Sequence, residues 1–167
     1  MKVNSFLYLC TQNMMLELHN VTIGQRIRSL SLTVADGQMV GLSGSQGSGK
    51  TTLLRAVLGL IPIDGGHISI DGELLTPRSA PYFRRQMAYV PQHLSVPEGY
   101  NKLDTSYLSL LRKAVESDKS LLIVDEPAQP VSEDDLQAID RLLRQATQRG
   151  AAVLAVNSRI LQNQVRL

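Results

Sequence analysis

One short stretch constrains this chain more than any other: Gly44-Ser-Gln-Gly-Ser-Gly-Lys-Thr51, followed by Thr52. It matches the pattern G-x-x-x-x-G-K-[ST], and its flanks are those the pattern requires. Before it, Met39 to Leu42 is a short apolar run that reads as a buried strand. After it, Lys50 to Leu58 puts Leu53, Leu54, Val57 and Leu58 on one helical face, and Gly59 suits the helix exit. Three glycines let the backbone curl so that successive N–H groups point inward. Together with the helix N-terminus those amides make an anion site. The expected phosphate-binding residues are Gly44, Ser45, Gln46, Gly47, Ser48, Gly49, Lys50, Thr51 and Thr52. The Lys50 ammonium can reach the β- and γ-phosphates of ATP or GTP, and the Thr51 hydroxyl can face Mg²⁺.

The rest of the chain alternates in a way that fits such a loop. Leu16 to Val21 and Ser29 to Val34 alternate apolar and polar residues, as half-buried strands do. Asp36-Gly37 is a turn. His67 to Ile70, Asp71-Gly72 and Glu73 to Leu75 read as a hairpin. Gln86 to Val90 is a further strand, stopped by Pro91. Asp104 or Thr105 is placed to cap a helix that turns Leu108, Leu111 and Val115 inward. Ser132, with Asp135 three residues on, resembles a capping box for a helix carrying Leu136, Ile139, Leu143 and Ala146 inward and ending at Gly150. Ala151 to Val156 is a last buried strand. Buried strands alternating with helices predict an α/β fold with a mostly parallel sheet covered on both faces. The early strands and the hairpin predict an antiparallel side sheet.

A second chemical feature closes another apolar strand. Leu121-Leu-Ile-Val124 runs straight into Asp125-Glu126-Pro127. A buried parallel strand delivers its C-terminal residues to the crevice where ligands bind. Asp125 is placed to hold Mg²⁺, and Glu126 to orient or deprotonate an attacking water.

These residues resemble the ATP-binding subunit of an ABC transporter. Gly44 to Thr52 is similar to that family's phosphate loop, and Tyr89-Val-Pro-Gln92 to its Q-loop. Leu121 to Pro127 is similar to its Walker B strand and catalytic glutamate, and Gly65 to Gly72 to its small β-hairpin. The likeness runs from about Met15 to about Arg159, with the four motifs in family order. The resemblance implies a P-loop NTPase core with ATP and Mg²⁺ as cofactors. It implies Thr51, Gln92 and Asp125 around the metal, and Glu126 and Gln92 as catalytic residues. It also implies transmembrane subunits and a second ABC ATPase subunit as partners, in a homo- or heterodimer on the cytoplasmic face of the cell membrane. Residues 1–13 are expected to be an extension before a nucleotide-binding domain at 14–167, because Met14-Met15 opens the patterned sequence.

The departures from the family pattern carry expectations of their own. Only 33 positions separate Gln92 from Asp125, so the helical subdomain is expected to be strongly shortened. The slot of the family's LSGGQ-type signature falls at Asn101-Lys-Leu-Asp-Thr105, which is not a signature. Leu42 to Gln46 resembles one as text but lies within the phosphate loop. Ser158 stands where the switch histidine is expected, and Ile23 near the slot of the adenine-stacking aromatic. A homodimer would therefore close poorly over ATP, whereas a different ABC subunit could supply the missing signature.

Composition narrows the alternatives. With 17 basic and 15 acidic residues, scattered, and seven aromatic ones, no nucleic-acid surface is expected. Cys10 is the only cysteine, which excludes an internal disulfide. No apolar run is long enough to span a bilayer, and a cytosolic chain is expected. His19, His67 and His93 are far apart and show no metal-ligand spacing, so they read as solvated or structural. Asp140 and Arg144, four apart on a helix, are an expected surface pair.

Overall fold

The computed structural model describes residues 16–92, 106–128, 130–156 and 164–167. The expected extension at 1–13, the signature slot at 101–105, His93 and Ser158 lie outside these residues. Among the described residues no helix is long and apolar enough to cross a membrane.

Two sheets carry the fold. The parallel sheet has the order β6-β7-β8-β3-β9, built from β6 (Met87–Val90), β7 (Leu121–Val124), β8 (Ala152–Val156), β3 (Met39–Ser43) and β9 (Gln164–Arg166). The strands β7 and β8 are apolar at every position because both their faces are covered. Leu121 and Ile123 point into a core shared with helix α1 (Lys50–Val57) and the side sheet. Leu122 and Val124 point the other way, into a core shared with α3 (Tyr107–Glu116) and α4 (Glu133–Gln148). One strand thus supplies two cores by its period of two.

The side sheet is antiparallel, with the order β2-β1-β4-β5, formed by β2 (Ile27–Val34), β1 (Leu16–Ile23), β4 (Gly65–Ile70) and β5 (Glu73–Leu74). Leu16, Leu18, Val21 and Ile23 of β1 are buried against α1. Two bulges, where Asn20 and Ser29 take positive φ, interrupt the alternation and shift the register.

The α/β class, the parallel core and the side sheet are those read from the sequence. Two local readings need correction. Helix α3 is capped by Ser106, whose Oγ accepts from the Ser109 N–H at 3.2 Å, and not by Asp104 or Thr105. Leu136 is only half-buried, leaving Ile139, Leu143 and Ala146 as the core residues of α4. His19 and His67 are exposed, in keeping with the solvated reading, and face each other across β1 and β4. Likewise Ser132 caps α4 through the Asp135 N–H at 3.2 Å, and Arg144 Nε bonds Asp140 Oδ2 at 2.8 Å, as the spacing indicated.

Candidate functional site

The chain leaves β3 at Ser43 and must turn at once into α1. Gly44 has φ 153°, and an added Cβ there would lie 2.6 Å from Ser48 Oγ and 2.9 Å from the Leu167 carbonyl oxygen. No side chain fits, so the glycine is a steric requirement. Gly49 precedes α1 at φ 104°, against the Ile27 side chain, and gives the helix no side-chain cap. The first turn of α1 also holds no acidic residue. Its N-terminal N–H groups and the positive end of its dipole are thus left to an anion.

Two side chains of the loop bear on what that anion is. Lys50 Nζ donates to the Gly44 and Ser45 carbonyls at 2.8 and 2.9 Å, which holds an ammonium within the loop. Ser48 Oγ is buried and has no hydrogen-bond partner among the described residues. An unmet buried hydroxyl is costly unless a ligand meets it. A polyanion, with many acceptor oxygens, fits both.

The acidic strand end converges on the same place. Thr51 Oγ1 donates to Asp125 Oδ2 at 2.8 Å across 74 residues of sequence. Asp125 also accepts from the Glu126 N–H at 3.0 Å and is only 1% exposed. Burial pushes its carboxyl above the ordinary value; the Thr51 and Glu126 hydrogen bonds and the charges of Arg55 and Lys50 pull the other way. A buried carboxylate beside a threonine hydroxyl is a donor set suited to a hard divalent cation. Gln92 is tied in through its carbonyl, which accepts from the Ala128 N–H at 3.3 Å.

A hollow of about 580 Å³ joins these parts. The loop residues Gly44, Gln46, Gly47, Gly49, Lys50, Thr51 and Thr52 form one wall. Gln92, Asp125 and Glu126 line the hollow too, so every expected catalytic and metal residue lines a single space. Ser45 lies in the loop but presents its carbonyl to Lys50 rather than lining the hollow. The hollow opens at the C-terminal ends of β3, β6 and β7, where open α/β sheets bind their ligands. Another hollow, of about 480 Å³, lies at the N-terminal ends of β7 and β8 and has no comparable chemistry.

Sequence reasoning missed two contributors. Arg26, in the turn between β1 and β2, lines the hollow, whereas Ile23 is buried in the core. Tyr107 donates its hydroxyl to the Asp125 carbonyl, pinning the peptide that joins the two acids. Burial and the charges of Asp125 and Glu126 push this phenol up, so it stays protonated. Neither position belongs to a local motif, and neither had a signal in the chain itself.

A strand, a glycine loop, a helix and a distant acidic strand end meeting in one crevice define a P-loop nucleotide-binding fold. Comparison with known proteins narrows the class. Residues 27–119, more than half of the chain, match the family model described as ABC transporter. The chain belongs to that family. It is 39% identical over 70 residues to a manganese transport system ATP-binding protein, MntB, of Listeria innocua, covering 42% of this chain and 27% of that one. It is 28% identical over 183 residues to an uncharacterized ABC transporter ATP-binding protein of Rhizobium meliloti, covering 80% and 66%. Both alignments leave a third or more of the relative unmatched. Among solved structures, an ATP binding subunit of an ABC transporter superposes with a TM-score of 0.75 at 21% identity, covering 92% of this chain and 85% of that one. At that identity the likeness is one of fold.

Proposed function

We propose that the chain binds Mg²⁺–ATP and hydrolyses it as the ATP-binding subunit of an ABC transporter. The observation that carries this reading is the 2.8 Å bond from Thr51 to Asp125, which joins the phosphate loop to the acidic strand. In this reading the loop amides and Lys50 hold the phosphates. Thr51, Asp125 and Gln92 surround Mg²⁺, which would neutralise charge on the phosphate oxygens. Glu126 takes a proton from water as the water oxygen bonds the terminal phosphorus. The bond from that phosphorus to the bridging oxygen breaks, leaving ADP and phosphate. Residues 14–167 act as the nucleotide-binding domain in the cytoplasm, against transmembrane subunits at the inner face of the membrane. A second ABC ATPase subunit supplies the signature that Asn101–Thr105 does not.

A second reading, a nucleotide-binding or regulatory module with little turnover, is favoured by that same stretch and by Ser158 in place of a switch histidine. Calorimetry with Mg²⁺–ATP, and phosphate release from the wild type and Glu126→Gln each assembled with the co-purified partner ABC subunit, separate the readings. The first expects equal binding and a turnover about 10²–10⁴-fold lower in the variant. Equal, negligible turnover in both supports the second reading. No binding by folded protein removes both.

A further inference from the structure

His19 on β1 and His67 on β4 are direct cross-strand partners. Both side chains are exposed, outside the core and away from the nucleotide hollow. Their ring centroids are 5.1 Å apart and the planes meet at 63°. Opposing residues on antiparallel strands keep their Cβ atoms ~4.5–5.5 Å apart, so the proximity is set by the backbone. A bulge fixes it further. The register shifts between His19 and Thr22, and Asn20 takes φ 49°. Gly66 packs so closely that a Cβ there would overlap the carbonyl oxygens of His19 and Asn20. Bulges of this kind re-aim side chains and hold them in place.

That separation has a chemical meaning. A zinc ion sits ~2.0–2.1 Å from an imidazole nitrogen, hence ~3.2 Å from the ring centroid, and two such rings on a tetrahedral ion have centroids ~5.2 Å apart. We propose that His19 and His67 form a two-imidazole site for a divalent transition cation, Zn²⁺ or its neighbours Ni²⁺ and Cu²⁺, clamped across β1 and β4. Among the described residues no group of three or more His, Cys, Asp or Glu side chains could hold a metal, so water completes the coordination. The nearby Glu17 carboxylate accepts from Ser69 Oγ at 3.3 Å, and the two facing imidazoles are the ligands of the proposed site. Nitrogen donors select these ions over Mg²⁺ and Ca²⁺, which prefer oxygen. The site is therefore separate in position and in chemistry from the one at Asp125, and it does not rest on the nucleotide reading.

The test is titration of the full chain with Zn²⁺ and with Ni²⁺ by calorimetry, in excess Mg²⁺ to occupy the oxygen site. The expected result is saturable binding that is lost in His19→Ala and in His67→Ala but kept in His93→Ala. Saturating Zn²⁺ should also raise the unfolding midpoint by about 2–4 °C in the wild type and leave both variants unmoved. Midpoints without metal report whether the variants fold. If alanine lowers them, His19→Gln and His67→Gln repeat the test with polar side chains. No binding of either ion to the wild type, or wild-type affinity retained by either variant, overturns the proposal.

Discussion

Replacing Thr51 by valine removes one hydroxyl and keeps the shape, so it isolates the bond that joins the two halves of the site. The Thr51 hydroxyl is one of two donors seen on the Asp125 carboxylate, the other being the Glu126 N–H. Asp125 is 1% exposed, so water cannot take the place of the missing donor. A hydrogen bond to a buried charge contributes about 1.5–3 kcal/mol. Thr51→Val should lower the stability of the ligand-free protein by that amount, measured by urea unfolding at about pH 7.5. In a chain of 167 residues a loss of 2 kcal/mol corresponds to roughly 4–8 °C in midpoint. The sign with pH follows from burial. The folded protein already holds the Asp125 carboxyl above its ordinary value of 3.8, and the Thr51 bond opposes that rise. The stability conferred by the protonated form is fully present below that ordinary value and is lost as pH rises through the folded one. Without the hydroxyl the folded value climbs further, so the variant continues to lose stability over a wider span of rising pH. The gap between variant and wild type is therefore small in acid and grows as pH rises. A variant within about 0.5 kcal/mol of wild type near neutrality, or a gap that does not change with pH, would refute this account of the site.

Three other substitutions probe separate parts of the structure. Lys50→Ala removes the charge-assisted contacts to phosphate, less the two carbonyl bonds it makes without ligand, for a net loss of about 3 kcal/mol; the Mg²⁺–ATP dissociation constant should rise roughly 100-fold by calorimetry. Tyr107→Phe leaves the Asp125 carbonyl without the phenol and should cost about 1–2 kcal/mol in urea unfolding. Ser132→Ala removes the cap of α4 and should cost about 1 kcal/mol, read from the same unfolding curves.

The sequence was most legible where chemistry and local pattern coincide. The loop from Gly44 to Thr52 needs glycines at fixed offsets, and the acids Asp125 and Glu126 need only the end of a buried strand. Both can therefore be read from short windows. Strands such as β7 and helices such as α4 announce themselves by period, because each has faces to bury. What could not be read depends on partners far away in the chain. Strand β9 is three residues long with only Val165 partly buried, and it exists because β3 offers it an edge. The cap at Ser106 fell one position beyond Thr105 because several neighbouring residues are all good caps. Arg26 and Tyr107 reach the site from a turn and a helix start, and nothing in their own neighbourhoods marks them. The meeting of His19 with His67 is a matter of register between β1 and β4, which is set by turns and bulges.

The position of Lys50 has a consequence for the proposed ATPase cycle. Its ammonium is satisfied by the Gly44 and Ser45 carbonyls when no ligand is present, so the arrival of a phosphate exchanges one set of acceptors for another. In that proposed cycle departure of the product nucleotide is eased, since the side chain has a place to return to. The proposed ATPase cycle, which must release its product after each turnover, is better served by such a latch than by a stronger one.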